Sequence, residues 1–350
     1  MKPVAKNCGI KHCLLTSLAS VGVVITAGSL FSASQAIAQP LFSQELPPIE
    51  ITITEIPGSV TDIKGFEGIV QVLTVSPDGK ILLVGAGGET IYAIDLEQQK
   101  IIYATTAAIN DYSSIVFSPD GELFAIPEDR TISLFSTATG EWLQTLDGHP
   151  KKVNDVAISP DGKTLVSVSI AVRDIRIWNL ETGKLIGKLT QDIGPTNCVE
   201  FTPDGKLFIT GSIGEDRTIK FWDANSLELV QTSPQQAGYI NDLAVSADGK
   251  LVAAVRNYVK VWDLLDTSVI QKIKGPNLEI NALAVSPDGN YVATANKEGT
   301  VMVFDIRTGQ KTLTAEGHTG WVRTVAFSPD GKHLFSGAED KVVKIWLLEP

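Results

Sequence analysis

The sequence predicts an all-β chain: a seven-bladed β-propeller of four-stranded antiparallel blades, its ring closed by an N-terminal strand in the last blade. Three observations predict it. The turn Ser-Pro-Asp-Gly begins at Ser76, Ser118, Ser159, Ser286 and Ser328, with Thr-Pro-Asp-Gly at Thr202 and Ser-Ala-Asp-Gly at Ser246, so successive turns stand 42, 41, 43, 44, 40 and 42 residues apart. Each interval holds four short runs of strand character. The chain then stops one strand short of completing the seventh repeat.

The tetrapeptide is a tight hairpin turn. Pro presets φ at the second position, Asp bonds nearby backbone, and Gly takes the left-handed conformation that other residues resist. An apolar run precedes each turn (VLTV, SIVF, DVAI, CVEF, DLAV, ALAV, TVAF), and a second follows it (such as ILLVG and LFITGS). A third run carries the aromatic positions, as in IRIWNL, IKFWDA and VKVWDL, and a more polar fourth leads to the next repeat, as in EWLQTL. Four strands in forty-odd residues make one small antiparallel sheet. Such a sheet cannot bury both faces alone, so seven stack face to face around an axis.

These residues resemble the WD-repeat β-propellers. Trp222-Asp223 and Trp262-Asp263 match the Trp-Asp signature, and Trp178-Asn179, Phe304-Asp305, Phe135-Ser136, Ile94-Asp95 and Trp346-Leu347 are degenerate forms of it. Gly148-His149 and Gly317-His318 supply the Gly-His step. The resemblance covers residues 58–350. It implies a buried network of His, Ser/Thr, Asp and Trp in a blade, which the last repeat alone matches residue by residue, through His318, Ser336, Asp340 and Trp346. Repeat four keeps Thr210, Asp216 and Trp222 but has Asp192 where His is expected.

Counting from Gly65 places residues 59–64 in the missing fourth-strand position of the last blade, which would remove an exposed edge. Residues 50–56, EITITEI, are a rival for that role. Upstream, Lys2, Lys6 and Lys11 precede an uncharged apolar run from Leu14 to Phe31 and the small-residue site Ala36-Ile37-Ala38. This order is that of a secretory signal peptide cut after Ala38. Retention as a membrane anchor is the alternative, because the run is long enough to span a bilayer. The domain reading is therefore a signal over 1–38, a lead-in over 39–57 and the propeller over 58–350. The expected location is secreted or periplasmic, with no stable membrane insertion after cleavage.

Cleavage would take the net charge from −11 to −14 and remove Cys8 and Cys13, leaving Cys198 alone. No intramolecular disulfide is then expected, and stability must come from packing. The acidic balance and the lack of a basic stripe exclude nucleic acid as a partner. No His/Cys cluster has metal-ligand spacing, the Asp-Gly pairs lack the alternating acids of a calcium loop, and Gly85-Ala86-Gly87-Gly88 lacks a Gly-Lys-Ser/Thr ending. No cofactor, metal or catalytic residue is expected.

Three columns at the start of each inner strand carry the functional expectation. Five residues before each turn stand Gln71, Ser113, Asn154, Asn197, Asn241, Asn281 and Arg323, all polar. Two further along are Leu73, Ile115, Val156, Val199, Leu243, Leu283 and Val325, all apolar; strand alternation would put both columns on one face, a polar ring capping an apolar interior. Two earlier are Ile69, Asp111, Lys152, Pro195, Tyr239, Glu279 and Trp321. In the family these positions line the face that most often binds partners. The partner-binding set is therefore Gln71, Asp111, Ser113, Lys152, Asn154, Asn197, Tyr239, Asn241, Glu279, Asn281, Trp321 and Arg323. A competing reading has the Asn residues merely satisfying backbone groups where strands begin.

The function expected is a monomeric, non-catalytic interaction scaffold that binds a protein or peptide around the channel mouth. The alternatives are a propeller enzyme of hydrolase or lactonase type, and a glycan or small-ligand binder at the mouth.

Overall fold

The computed structural model describes residues 52–348, apart from 57–59, 109–113, 172, 191–193, 265, 267 and 276–278. The signal-peptide reading of residues 1–38 lies outside the described residues, and so do Asp111 and Ser113. Every regular element described is a β-strand, and these form seven antiparallel sheets. Blade one contains Val70–Val75, Ile81–Ala86, Thr90–Asp95 and Lys100–Thr106, from the axis outward, and blades two to six repeat that order.

The turns form as their residues dictate. Gly79 has φ of 74°, its N–H donates to the Ser76 carbonyl at 2.8 Å, and Ser76 Oγ donates to Asp78 Oδ1 at 2.6 Å while accepting from Ile81 N at 2.9 Å. The turns also abut one another around the ring. A methyl added at Gly121 would lie 3.5 Å from Pro77 Cδ, one at Gly205 3.5 Å from Pro160 Cδ, and one at Gly79 3.6 Å from Pro329 Cδ. The proline of each of these turns sits against the glycine of the next, and the last contact bridges the two ends of the propeller.

The core lies between blades rather than within one. Val166, Val168 and Ile175 of blade three meet Val199, Phe208 and Trp222 of blade four, and each of the seven buried clusters among the described residues draws on adjacent sheets. Burying each large apolar side chain contributes roughly 1.5–3 kcal/mol, so every blade depends on both neighbours.

The last blade comprises Val322–Phe327, His333–Ala338 and Val343–Leu347 from the C-terminal end, then Val60–Lys64 and Thr52–Ile56 from the N-terminal end. Both segments that competed for the closing position take part. Val60–Lys64 is the fourth strand, with Val60 opposite Trp346 and Asp62 opposite Lys344, and Thr52–Ile56 adds a fifth beyond it. The sheet thus begins within what the sequence reading treated as lead-in. Ile63 then packs with Leu73, Leu82 and Tyr92 of blade one, which completes the ring.

Candidate functional site

Antiparallel order puts two kinds of loop on opposite faces. The Ser-Pro-Asp-Gly turns share one face; the segments entering the inner strands and the turns between second and third strands share the other. On this second face the backbone before each inner strand is pinned by the neighbouring turn. The carbonyls of Ile69, Pro195, Tyr239 and Trp321 accept from the N–H groups of Gly87, Ile213, Arg256 and Glu339 at 2.9–3.3 Å, and that of Lys152 accepts from Ser169 Oγ at 2.7 Å.

The next residues sit at a β-bulge. Pairing skips one residue between Val70 and Val72, Thr196 and Cys198, Ile240 and Asp242, Ile280 and Ala282, and Val322 and Thr324. The skipped residues are Gln71, Asn197, Asn241, Asn281 and Arg323. A bulge re-aims its side chain, and the bulged Asn residues reach sideways. Asn197 Nδ2 donates to the Asn241 carbonyl at 2.7 Å, Asn241 Nδ2 to the Ile280 carbonyl at 2.9 Å, and Asn281 Nδ2 to the Val322 carbonyl at 3.3 Å. Gln71 Oε1 and Asn154 Oδ1 instead accept from Gly88 N and Ile170 N of their own blades, each at 2.9 Å. These amides hold blades and turns together, as the competing reading of the Asn residues anticipates.

The apolar column Leu73, Val156, Val199, Leu243, Leu283 and Val325 packs into the inter-blade cores, the apolar interior that the sequence predicts. The alternate positions of the inner strands carry Asp155, Glu200 and Asp242, which the sequence reading missed. Asp155 Oδ2 accepts from Val199 N of the next blade at 2.9 Å, Asp242 Oδ2 from Leu283 N at 2.8 Å, and Thr324 Oγ1 from Leu73 N at 3.2 Å across the closure. Burial pushes Asp155 up to about 6 and, with the nearby Asp155 charge, Asp242 up to about 7. Desolvation of half-buried Glu200, with the Asp155 and Asp242 charges nearby, pushes it up to about 8. Burial first, then these carboxylates, push the Cys198 thiol well above its usual range. Among the described residues no group of three or more His, Cys, Asp and Glu side chains is placed to hold a metal ion.

Two buried networks stand behind this face. His318 Nε2 and Trp346 Nε1 both meet Ser336 Oγ at 2.8 Å, and His318 Nδ1 lies 2.9 Å from Asp340 Oδ2. Blade three repeats the arrangement, a correction to the expectation that only the last blade has it. His149 Nε2 and Trp178 Nε1 meet Ser167 Oγ at 2.7 and 2.8 Å, and His149 Nδ1 lies 3.5 Å from Asp174 Oδ1. The shared His-to-Ser spacing of 18 residues was the available signal. Asp174, however, falls three residues later than the last blade's pattern places it.

One stretch of the loop face differs from the rest. Across blades five to seven, Tyr239 is 50% exposed and Trp321 42%. Lys297 Nζ lies 4.9 Å from the centroid of the Trp321 ring and the Arg323 guanidinium 5.5 Å. Arg323 donates through Nε and Nη2 to Glu339 Oε1 at 3.0 and 2.5 Å. Glu279 holds Lys297 at 3.6 Å and accepts from Asn241 Nδ2 at 3.0 Å. Four of the sequence-predicted residues, Asn241, Glu279, Trp321 and Arg323, are thereby linked, and Tyr239 stands two residues before Asn241. Lys297 and Glu339 were missed because they lie on turns that the three columns do not sample.

Residues 62–349 match the sequence family described as Nucleolar protein 10-like, N-terminal domain. An uncharacterized WD repeat-containing protein of Synechocystis sp. is 52% identical over 248 residues, 71% of each chain. Nuclear distribution protein nudF 1 of Talaromyces marneffei is 28% identical over 275 residues, 70% of this chain and 59% of that protein. Pre-mRNA-processing factor 19 of Bos taurus is 27% identical over 183 residues, 51% of this chain and 35% of that protein.

Proposed function

The chain belongs to the WD-repeat β-propeller family, whose propellers are protein-interaction scaffolds, and on that premise we propose that its loop face holds a protein or peptide partner over blades five to seven. The observation that carries this reading is the Trp321 patch. A half-exposed indole, flanked by two cations that are themselves held by Glu279 and Glu339, stands on a backbone pinned by its neighbouring turn. Aromatic and Arg side chains dominate binding energy because they offer large contact area at small entropic cost. Pinning them beforehand lowers that cost further.

The mechanism is presentation rather than chemistry. Two of the inner-strand carboxylates, Asp155 and Asp242, are spent on inter-blade backbone N–H groups, which supports a non-catalytic role. The Lys2–Lys11 segment, the apolar run and the Ala36-Ile37-Ala38 site support export to the cell envelope or exterior. If so, the protein recovered from that fraction begins at Gln39 on N-terminal sequencing; one beginning at Met1 removes the export reading.

Affinity capture from the same fraction tests the site. Trp321→Ala, Tyr239→Ala and Arg323→Ala are each expected to weaken partner recovery; the two exposed aromatics should shift stability by less than about 1 kcal/mol, and Arg323, part-buried against Glu339, by about 1–2 kcal/mol. Unchanged recovery by all three would remove the patch from the interface.

A further inference from the structure

The third strands of the blades provide an internal comparison, because a basic residue recurs two positions before the tryptophan. In blade three it is Arg176, whose Nε donates to Asp174 Oδ2 at 3.1 Å. In blade four Lys220 Nζ lies 2.7 Å from Asp216 Oδ2, and in blade seven Lys344 Nζ lies 2.6 Å from Asp62 Oδ1. Each of these cations receives a carboxylate from the chain itself.

Blade five breaks the pattern. Lys260 occupies the same position, two before Trp262, and is directly opposite Lys272 on the outer strand. Like charges in direct cross-strand register are destabilising. Blade three has the same pairing, Arg176 opposite Lys188, and solves it with Asp174, which holds Arg176 at 3.1 Å and Lys188 at 3.7 Å. The residue in the corresponding place in blade five is Tyr258. Lys272 Nζ lies 4.4 Å from the Tyr258 ring centroid, Lys260 Nζ 4.8 Å from the Trp262 ring, and Gln236 Oε1 accepts from Lys260 at 3.0 Å. Lys274, opposite Tyr258, adds a third ammonium on the same face. Among the described residues no carboxylate stands within 4.0 Å of Lys260, Lys272 or Lys274. Burial and the neighbouring Lys272 charge pull the Lys260 ammonium below the usual lysine range, as an uncompensated pair requires.

We propose that the outer edge of blade five, where it faces blade four, is a second docking surface, and that its occupant is an acidic segment of a partner protein. Its Asp or Glu side chain takes the place that Asp174 fills in blade three. The aromatic rings of Tyr258 and Trp262 hold the two ammoniums forward meanwhile, since cations rest favourably on such faces. The acidic net charge of the chain disfavours an extended polyanion such as nucleic acid and leaves a short carboxylate-bearing segment as the better fit. This surface is separate from the Trp321 patch and stands whether or not that patch binds.

Acetyl-Glu-Glu-Glu-amide is a suitable probe, titrated at low salt into the full chain carrying 13C-labelled lysine. The ε-methylene signals of Lys260 and Lys272 are expected to shift saturably while that of exposed Lys163 does not. Lys260→Met/Lys272→Met and the single Lys272→Met are expected to lower peptide affinity, the double by at least about tenfold. The thermal midpoint should stay the same or rise, because the like-charge opposition is gone. Equal response at Lys163, retained affinity in the double variant, a lowered midpoint in both variants, or preference of the site for a thymidine oligonucleotide would each overturn the proposal.

Discussion

A chain that begins at Phe66 is expected to lose cooperative unfolding. Removing Val60–Lys64 leaves the Val343–Leu347 strand as a bare edge and takes Ile63 out of the cluster joining blades seven and one. It also strands Lys344, a buried ammonium held by Asp62 at 2.6 Å. Burial alone would raise the Asp62 carboxyl; Lys344 and Lys64 outweigh burial and hold it below its usual value. Removing one partner of a buried pair leaves an uncompensated charge, at a cost of roughly 3–5 kcal/mol. Asp62→Ala in the full chain should therefore lose about that much in urea denaturation. Asp62→Ala combined with Lys344→Met should lose clearly less, because no buried charge is left unpaired. If the shortened chain unfolds like the full one, closure by the N-terminal strand is not what holds the ring.

Stability is expected to be greatest near about pH 5 and to fall toward pH 8.5, the reverse of the usual carboxylate-driven trend. Asp155, Asp242 and Glu200 have folded values of about 6, 7 and 8, above the ordinary 3.8, 3.8 and 4.5. Between those limits the folded chain holds protons that the unfolded chain releases. Raising the pH through this window therefore favours unfolding, by about 1.4 kcal/mol for each unit that separates folded from unfolded values. At the acid end the order reverses. Asp62, Asp174 and Asp340 are held low by their basic or imidazole partners against burial, and Asp204 is held at about 2 chiefly by Thr202. Their contribution is lost as pH falls below about 4. Thermal melts across the range check the curve. Glu200→Gln fixes the neutral form and should raise the midpoint at pH 8 while leaving it nearly unchanged at pH 5. A midpoint at pH 8 that equals or falls below that of the unsubstituted chain would show that Glu200 is not the burdened group.

The turns were legible because their chemistry is local: Ser76 to Gly79 forms its own hydrogen bonds and needs nothing from the fold. The closing strand was legible by counting. Where the polar column points was not, because a bulge re-aims its side chain, and the bulges at Gln71, Asn197, Asn241, Asn281 and Arg323 are created by tertiary pairing rather than by residue type. Asp155, Glu200 and Asp242 were missed because they stand between the columns considered and look like polar outward positions in a regular strand. Trp321 and Tyr239 were found because a large aromatic in a loop column is conspicuous. Lys297 and Glu339 join Trp321 and Arg323 only in space, from turns whose lengths vary between repeats. Asp174 escaped for a related reason, since it opens the third strand, four residues before Trp178, whereas Asp340 stands on the preceding turn, six before Trp346.

Site-specific photo-crosslinking tests the interaction scaffold most directly. A photoreactive side chain placed at Tyr239, on the loop face, and separately at Ser136, at the end of the third strand of blade two and toward the opposite face, is irradiated with the envelope fraction present. The loop-face assignment predicts a discrete adduct from position 239 that Trp321→Ala diminishes, and none of that mass from position 136. An adduct from position 136 alone, or one from position 239 that persists undiminished with Trp321→Ala, would contradict it.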